Sequence, residues 1–308
     1  MANTTATAVG QEQLYNANVL KGFVETLTPL TAFVTDVSPS AAEKGYTVNV
    51  SYVPSGSAAF SVTDGTGYTS FNSTRQNKSV SLDRHYAVGA ALSDREMSNS
   101  SIVRIEDTAY NDGAVLATYV FQDVLGAISA SSFPNGYNVA SSSLFSVDHL
   151  VGVRKVCSNA KWPAMQRNVI LNVNPYVALL KDDDLKYIYK GDSTVINTAK
   201  ITNTFGFDNI WESNAFPTLV SGSTTVMGLA VNPNAVIFAS RYLAPAPEAA
   251  QAGLQSEALT DPSTGITIGM RKWYDLTTGQ VKRVYECLWG RAVANTNAAI
   301  NITCTVDA

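Results

Sequence analysis

Two stretches of the chain carry apolar residues at helical spacing. Residues 11–36 place Leu20, Phe23, Val24 and Leu27 at i, i+3, i+4 and i+7, which predicts an amphipathic helix. Pro29 lacks an amide hydrogen, so it should end or kink this helix by the preceding residue. The apolar stripe needs a surface to cover it, either on its own domain or on a neighbouring chain. The pattern leaves both interpretations open.

Residues 98–129 give the strongest helical pattern in the sequence. Ser100 or Ser101 is the expected N-cap. Gly113, in the middle, should destabilise the helix by about 1 kcal/mol relative to alanine. The predicted apolar face consists of Ile105, Ala109, Ala117, Val120, Phe121, Val124 and Ile128.

Residues 44–93 alternate in the manner of β-strands. Tyr46, Val48, Val50 and Tyr52 alternate with polar residues, and a second alternating stretch carries Val80, Leu82, Tyr86 and Val88. Between them, residues 57–79 are rich in Gly, Ser and Thr but include Phe60, Tyr68 and Phe71. The pattern predicts one long β-hairpin with an extended tip. A two-stranded ribbon is marginally stable alone, so this one needs a partner surface.

The next region predicts a loop at 129–143 and then a compact α/β block at 144–255. Helices are expected at 144–158, after the Asn174-Pro175 pair with Asn174 as N-cap, and after the similar Asn232-Pro233 pair. Strands are expected at 168–173, 205–213 and 224–232. The C-terminal part then predicts a hairpin of 266–275 and 281–293 around the turn 276–279, followed by a terminal strand at 298–305.

Charged residues make up only 15% of the chain, against about 25% in typical soluble domains. Such a surface suits burial against other subunits, because charged residues are depleted from interface cores. An ordinary β-rich soluble protein with few charges remains the alternative. The net charge of −4 argues against tight nucleic-acid binding, which needs cations to displace counterions from phosphates.

The cysteines and the N-terminus favour a cytosolic chain. Cys157, Cys287 and Cys304 have no metal-ligand spacing and cannot all pair within one chain, so reduced thiols are expected. Residues 1–20 have no basic region followed by an apolar run, as a secretory signal would. No segment approaches the roughly 20 apolar residues of a membrane span.

No residues combine into a recognisable catalytic, cofactor-binding or metal-binding motif. His85 and His149 have no second ligand at suitable spacing, and Ser193 has no evident base. The run Asp182-Asp183-Asp184 lacks the ligand spacing of a calcium loop and suits a solvated helix end. The tryptophans Trp162, Trp211, Trp273 and Trp289 are expected in the core. We therefore predict no enzyme activity, no cofactor and no metal.

The order of elements resembles the major capsid proteins of tailed bacteriophages, which share the Hong Kong 97 fold. Residues 44–53 ("KGYTVNVSYV") and 79–97 ("SVSLDRHYAVGAALSDREM") are similar to the base and return strand of the family's extended loop, and residues 101–129 to its spine helix. Residues 228–244 ("GLAVNPNAVIFASRYLA") resemble the axial-domain strand and helix, and residues 266–300 the closing sheet, with Gly290 before the final strand.

The resemblance implies an α+β fold and the following domains: an N-terminal arm (1–43), an extended loop with its β base (44–93), the peripheral-domain spine helix (94–132), an axial domain (133–255), and returning peripheral strands with a terminal axial strand (256–308). It implies inter-subunit contacts through Leu20, Phe23, Leu27, Phe60, Tyr68 and Phe71. The C-terminal strands would join the peripheral and axial regions.

The implied function is structural: self-assembly into hexamers and pentamers of an icosahedral phage head around double-stranded DNA. The implied partners are other copies of the chain, a separate scaffolding protein, a portal, a possible decoration protein, and DNA in loose, non-specific contact, without a membrane. The implied location is the virion, after assembly in the host cytoplasm. Two alternatives stay open, a receptor- or glycan-binding tail or surface β protein and a bacterial nanocompartment shell.

Overall fold

The computed structural model describes residues 4–38, 47–52, 76–95, 102–128, 132–188, 201–216, 224–251, 253–261 and 265–306. The helices are α1 (Thr4–Leu27), α2 (Ile102–Gly126), α3 (Val147–Asn159), α4 (Val173–Lys181), α5 (Asp183–Ile188) and α6 (Pro247–Gln251). Short 3₁₀ turns cover Thr28–Ala32 and Ser142–Leu144. The strands are β1 (Val34–Asp36), β2 (Thr47–Tyr52), β3 (Gln76–Ser81), β4 (Arg84–Ser93), β5 (Gly136–Ser141), β6 (Asn168–Leu171), β7 (Ile201–Thr204), β8 (Phe207–Glu212), β9 (Thr225–Val231), β10 (Val236–Arg241), β11 (Gln255–Thr260), β12 (Thr267–Asp275), β13 (Gln280–Val293) and β14 (Ala299–Val306).

The first sheet is organised around the long strand β13. Residues 280–286 of β13 pair with β12 and residues 288–293 pair with β10, both antiparallel. Strand β4 pairs antiparallel with residues 280–289. Because a strand has only two edges, β4 lies on one edge of β13 and β12 and β10 follow each other along the other. Strands β11 and β1 extend the sheet beyond β12 and β10.

The second sheet has the order β5-β14-β9-β6-β8-β7. Its four-residue strand β6 is buried throughout, and its side chains divide between two cores: Ile170 faces the first, Val169 and Leu171 the second. The first core lies among α1, α2 and the two sheets. The second core lies between the second sheet and α3 and α4, with Phe145, Leu150, Val153 and Leu179 among its members. The second sheet therefore separates the two cores.

Several elements agree with the sequence-based predictions. Helix α1 ends at Leu27, two residues before Pro29, as the restriction on residues preceding proline predicts. Helix α2 buries Ala109, Ala117, Val120, Phe121 and Val124 of its predicted face, and Ile128, two residues beyond its end, is also buried. The three C-terminal strands and the strands at β2, β6, β8 and β9 are confirmed. The predicted N-caps Ser100 and Ser101 lie outside the described residues.

Four predictions are wrong. The segment after Asn232-Pro233 is the buried strand β10, and it belongs to the first sheet rather than forming an axial helix. The expected loop at 129–143 contains strand β5, which pairs parallel with β14. Helix α4 begins two residues earlier than predicted, with Asn172 as its cap because the Asn172 side chain accepts a hydrogen bond from the Val173 amide. The predicted return strand of the hairpin is in fact two separate strands, β3 and β4.

The hairpin correction changes the picture of the extended loop. Strands β2 and β3 pair in register from Thr47↔Ser81 to Tyr52↔Gln76 and form a separate two-stranded ribbon. After two residues the chain enters β4, which pairs with β13 instead. The predicted hairpin therefore consists of β2 and β3 alone, because β4 pairs with β13 in the first sheet.

Candidate assembly surfaces

The predicted contact residues of the N-terminal helix pack on their own chain. Phe23 and Leu27 are each 1% exposed and belong to the first core, and Leu20 packs against that core while partly buried. Phe23 and Leu27 therefore have no surface left for another subunit, and the prediction of inter-subunit contact is wrong for them. The other three predicted contact residues, Phe60, Tyr68 and Phe71, lie outside the described residues.

Two glycines bring α1 and α2 into backbone contact. A Cβ atom added to Gly22 would lie 2.2 Å from the Tyr110 carbonyl oxygen, and one added to Gly113 would lie 2.0 Å from the Val19 carbonyl oxygen. Neither distance accommodates a side chain. The cost of Gly113 in the helix is therefore offset by a close helix–helix approach, which lets Val19 and Phe23 reach the first core.

Asp123 joins α2 to the first sheet. Its carboxylate accepts hydrogen bonds from Arg84 Nε on β4 (2.9 Å), from Arg291 Nε (2.9 Å) and Nη2 (3.1 Å), and from the indole nitrogen of Trp289 (3.0 Å) on β13. Asp123 keeps 23% of its side-chain surface exposed. One carboxylate thus fixes the position of the long helix on two neighbouring strands.

The ribbon is anchored on the other face of the same sheet. A Cβ atom on Gly290 would lie 2.1 Å from the Ser81 carbonyl oxygen, so the ribbon crosses β13 where β13 has no side chain. Val48, Val80 and Leu82 pack there with Ile237, Ala239, Leu288 and Ala294 in a small third core. Gly290, which precedes the final strand in the sequence, lies within β13, and its lack of a side chain permits the close passage of the ribbon.

A buried carboxylate lies beneath the ribbon's connection to β4. Glu286 accepts from Arg271 Nε at 2.7 Å, and its other oxygen lies 3.1 Å from His85 Nε2. The Glu286 side chain is 7% exposed. His85 is therefore engaged in a structural contact, and the guanidinium of Arg271 compensates the buried charge.

An apolar and aromatic surface is exposed beside β4. The Tyr86 ring stacks on Tyr119 of α2 at 5.8 Å and lies 5.3 Å from the ring of Trp289. Tyr86 and Tyr119 are about half exposed, as is Val115 one helical turn from Tyr119. The outer edge of β4 has no strand partner within the described ranges. Half-exposed tyrosines on a rigid surface are typical of protein–protein contacts.

A second exposed apolar surface lies outside the second sheet. Leu144, in the 3₁₀ turn that contacts α4, is 59% exposed, and Val173 and Val177 are partly exposed one turn apart on α4. These aliphatic side chains lie on the layer outside the second sheet, in the 3₁₀ turn and on α4. Sequence patterning did not identify this surface or the Tyr86–Tyr119 surface, because both depend on which distant elements pack beside these residues.

The candidate chemical groups have structural roles. His149 Nδ1 lies 2.8 Å from Ser146 Oγ at the start of α3. Asp182 accepts from the Val147 amide at 2.8 Å and from the Asp184 amide at 2.9 Å, so it caps helix starts, as the solvated-end interpretation favours. Ser193 lies outside the described residues. Within the described residues, no group of three or more His, Cys, Asp or Glu side chains is placed to hold a metal.

The three cysteines are buried, and none forms a disulfide. Burial raises the pKa of the Cys157 thiol to about 12, and burial together with the Glu286 charge raises that of Cys287 to about 12. Thiols with such pKa values carry almost no thiolate at neutral pH and are poor nucleophiles. Among the helices that the structure describes, none has both the length and the apolar content needed to cross a membrane.

No protein-family model matches the sequence, and no curated protein matches it either. Solved structures match at low identity over nearly the whole chain. The capsid of cyanophage P-SCSP1u is 16% identical, with 90% of this chain and 86% of that chain covered and a TM-score of 0.51. The mature capsid of bacteriophage PhiM1 gives 10% identity, 89% and 85% coverage and a TM-score of 0.54. The virus-like particle from Pyrococcus furiosus is 13% identical, with 94% of this chain and 98% of that chain covered and a TM-score of 0.51.

These likenesses concern the fold, and they agree with the order of elements: N-terminal helix, projecting ribbon, long helix, mixed α/β block and returning strands. The long helix packs across a sheet closed by the C-terminal strands, and the last strand enters the second sheet. The chain therefore has the α+β Hong Kong 97 fold, which it shares with these capsid structures.

Proposed function

We propose that this chain is the major capsid protein of a tailed phage, which assembles into hexamers and pentamers of an icosahedral head around double-stranded DNA. The observation that carries the proposal is the ribbon β2–β3, anchored by a small core and projecting from a sheet whose other face is covered by two long helices. A fold shared with two phage capsids and a virus-like particle supports it.

The low charge and the exposed apolar surfaces suit repeated contacts between copies. Stable interfaces bury about 1,600 Å² in total. Much of the gross gain is offset by ordering and by lost translation, so each contact is weak and the closed shell is strong through their number. We propose that Leu20, Phe60, Tyr68 and Phe71 contribute to such contacts, together with the surface of Tyr86, Tyr119 and Val115.

The proposal assigns residues 1–43 to an arm, 44–93 to the extended loop and its base, 94–132 to the spine-helix region, 133–255 to an axial domain and 256–308 to returning strands. Within this scheme β10 belongs structurally to the peripheral sheet. A separate scaffolding protein, a portal and a decoration protein are the proposed partners, with assembly in the host cytoplasm. The role is structural and needs no catalysis.

Negative-stain electron microscopy of the purified chain, expressed alone and with its neighbouring genes, tests the proposal. We expect closed or malformed shells made of this one chain. A variant in which residues 57–75 are replaced by a short Gly-Ser linker keeps β2 and β3 and should remain folded by circular dichroism without forming closed shells. A monomer or trimer under every condition would contradict the capsid assignment. Normal shells from the linker variant would contradict the role of the ribbon.

The likeness to the Pyrococcus furiosus virus-like particle leaves one alternative open, a bacterial nanocompartment shell that encloses protein cargo in place of a genome. Particles purified from cells separate the two, because a capsid that packages DNA contains nuclease-protected DNA after maturation. Closed shells that contain only a co-purifying protein would favour the cargo shell.

A further inference from the structure

One region of the sequence combines several cations with a lack of acidic residues. From His149 to Lys181 there is no aspartate or glutamate, although the chain as a whole has a net charge of −4. The cations of this region are Arg154, Lys155, Lys161, Arg167 and Lys181. The first four fall on the second half of α3 and on the loop that follows it, residues 160–167.

Two of these cations, Arg154 and Lys155, lie on the exposed side of α3. Leu150, Val153 and Cys157 of α3 are fully buried in the second core. Arg154, Lys155 and Lys161 are exposed. Arg154 and Lys155 are consecutive on α3, and Lys161 lies two residues beyond its end. None of these three cations forms an ion pair with a carboxylate of the described residues.

The loop after α3 is held in one conformation by a buried arginine. Arg167 donates to the Pro163 carbonyl at 2.6 Å, to the Trp162 carbonyl at 2.7 Å and to Ser158 Oγ at 3.2 Å. These acceptors are neutral, so the guanidinium adds a fourth positive charge beneath the surface. Lys161 and Gln166 adopt left-handed backbone conformations, with φ of 59° and 65°.

Two carboxylates border this surface and define its limits. Asp208 on β8 accepts from the Gln166 amide at 2.9 Å, and Asp148 lies at the N-terminal end of α3. A Cβ atom on Gly206 would lie 3.1 Å from Arg154 Nε, so the turn before β8 adjoins Arg154. The surface therefore comprises the end of α3, the loop 160–167 and this turn. Cations outnumber carboxylates on it.

We infer that this cationic surface contacts the phosphate groups of double-stranded DNA inside the shell, and this inference rests on the proposed capsid function. Its exposed donors are ammonium, guanidinium and amide groups, which suit phosphates, and the neighbouring Trp162 is buried and cannot stack on bases. The contact should be independent of sequence.

The affinity of one subunit should be low. Three exposed cations that each neutralise one phosphate predict a slope of about −2.7 for log K against log salt concentration. Affinity should then fall about 40-fold between 50 and 200 mM salt. Repetition over many subunits makes the total attraction large while each contact stays reversible.

Fluorescence anisotropy of a labelled 30-base-pair DNA duplex of arbitrary sequence, titrated with the full-length chain at several salt concentrations, tests this inference. The variant Arg154→Gln/Lys155→Gln/Lys161→Gln removes the exposed cations. The control Lys21→Gln/Lys181→Gln/Lys186→Gln removes three other exposed cations and has the same net charge. We expect the first variant to lose most of the binding and of the salt slope, and the control to keep both.

Equal loss in both variants, or equal binding by wild type and the first variant, would overturn the inference, as would a wild type that binds no duplex. Preferential binding of polyglutamate over DNA would also overturn it and would indicate an acidic protein partner. Electron microscopy of the same samples keeps the two proposals separate. Shells without DNA binding would contradict this surface alone, whereas DNA binding without shells would contradict the capsid function.

Discussion

On one face of the first sheet lie the helices α1 and α2, and on the other lies the ribbon β2–β3. The alternate side chains of β13 serve both: Tyr285, Cys287 and Trp289 enter the large first core, while Leu288 enters the small third core and Gly290 lies under the ribbon. The helix face has a large core, a glycine-mediated helix contact and the Asp123 bonds. The ribbon face has three anchoring side chains and one glycine.

We expect substitutions on the two faces of the first sheet to affect different properties, stability on one face and shell assembly on the other. The helix face buries many side chains within one chain, so its substitutions should act on the free energy of unfolding. The ribbon buries Val48, Val80 and Leu82 at its base, while most of β3 is exposed. A ribbon held so lightly can adjust its angle against a neighbour, and its substitutions should act mainly on shell formation. Four predictions test this division.

The largest effect is expected from Phe23→Ala. Phe23 lies on α1 and is fully buried in the first core. Its truncation should lower the free energy of unfolding by about 3–5 kcal/mol. Urea unfolding followed by circular dichroism measures the change. Leu14→Ala on the same helix is the control, because Leu14 is 45% exposed and should have little effect. Similar values for the two variants would mean that α1 does not pack as described.

Gly113→Ala should come next, with a sign opposite to that expected for an isolated helix. Alanine has a helix propensity about 1 kcal/mol better than glycine. Its Cβ would meet the Val19 carbonyl oxygen at 2.0 Å, and overpacking costs about 1–3 kcal/mol. Because the clash is with backbone atoms, the overpacking cost should lie in the upper half of this range, and we expect a net loss of about 1–2 kcal/mol, measured by urea unfolding. The control Gly126→Ala, with its nearest neighbour 3.8 Å away, should be neutral or stabilising. Stabilisation by Gly113→Ala would contradict the close approach.

Gly290→Ala should affect assembly more than stability. The added methyl would displace the Ser81 carbonyl, and the ribbon can lift at a cost limited by its small core, about 1 kcal/mol. Closed shells should nevertheless fail to form, as seen by electron microscopy. Gly136→Ala on the edge strand β5 is the matched control, because its nearest atom is 3.7 Å away. Normal shells from Gly290→Ala would show that the ribbon's angle is unimportant.

The sequence predicts the helix face far better than the strand order. The α2 stripe and the stop before Pro29 follow from local periodicity and backbone chemistry. Strand β10 was mistaken for a helix because Asn232-Pro233 imitates a helix start. Its run Val236-Ile237-Phe238 is buried on both faces, so it shows no alternation. Strand β5 has loop composition and becomes a strand only by pairing with β14 at a sheet edge.

The assembly surfaces were predicted less well, for a related reason. Asp123 meets Arg291 across 168 residues, and Gly290 meets Ser81 across the first sheet. Such contacts depend on tertiary register, which local patterns do not contain. Phe23 and Leu27 were assigned to a neighbour because an apolar stripe does not reveal whether its partner is the same chain.

The smallest effect is expected from Asp112→Asn, on the helix face. Partial burial raises the pKa of Asp112, while the hydrogen bond from the Tyr15 hydroxyl lowers it. A raised pKa in the folded state means that the folded protein holds this proton more tightly, so stability falls as pH rises from below the unfolded pKa through the folded one. Asparagine keeps the acceptor for Tyr15 without the charge. At pH 7 it should raise the free energy of unfolding by a few tenths of a kcal/mol, since solvent screens the half-buried group. The gain should vanish at low pH.

The exposed Asp183, whose pKa is lowered by its hydrogen bond from Lys186, provides a control of opposite sign, because Asp183→Asn should reduce stability at pH 7. Urea midpoints for both variants between pH 3.5 and 7 measure the two trends, and a pH-independent difference for Asp112→Asn would show that burial of this carboxylate carries no cost.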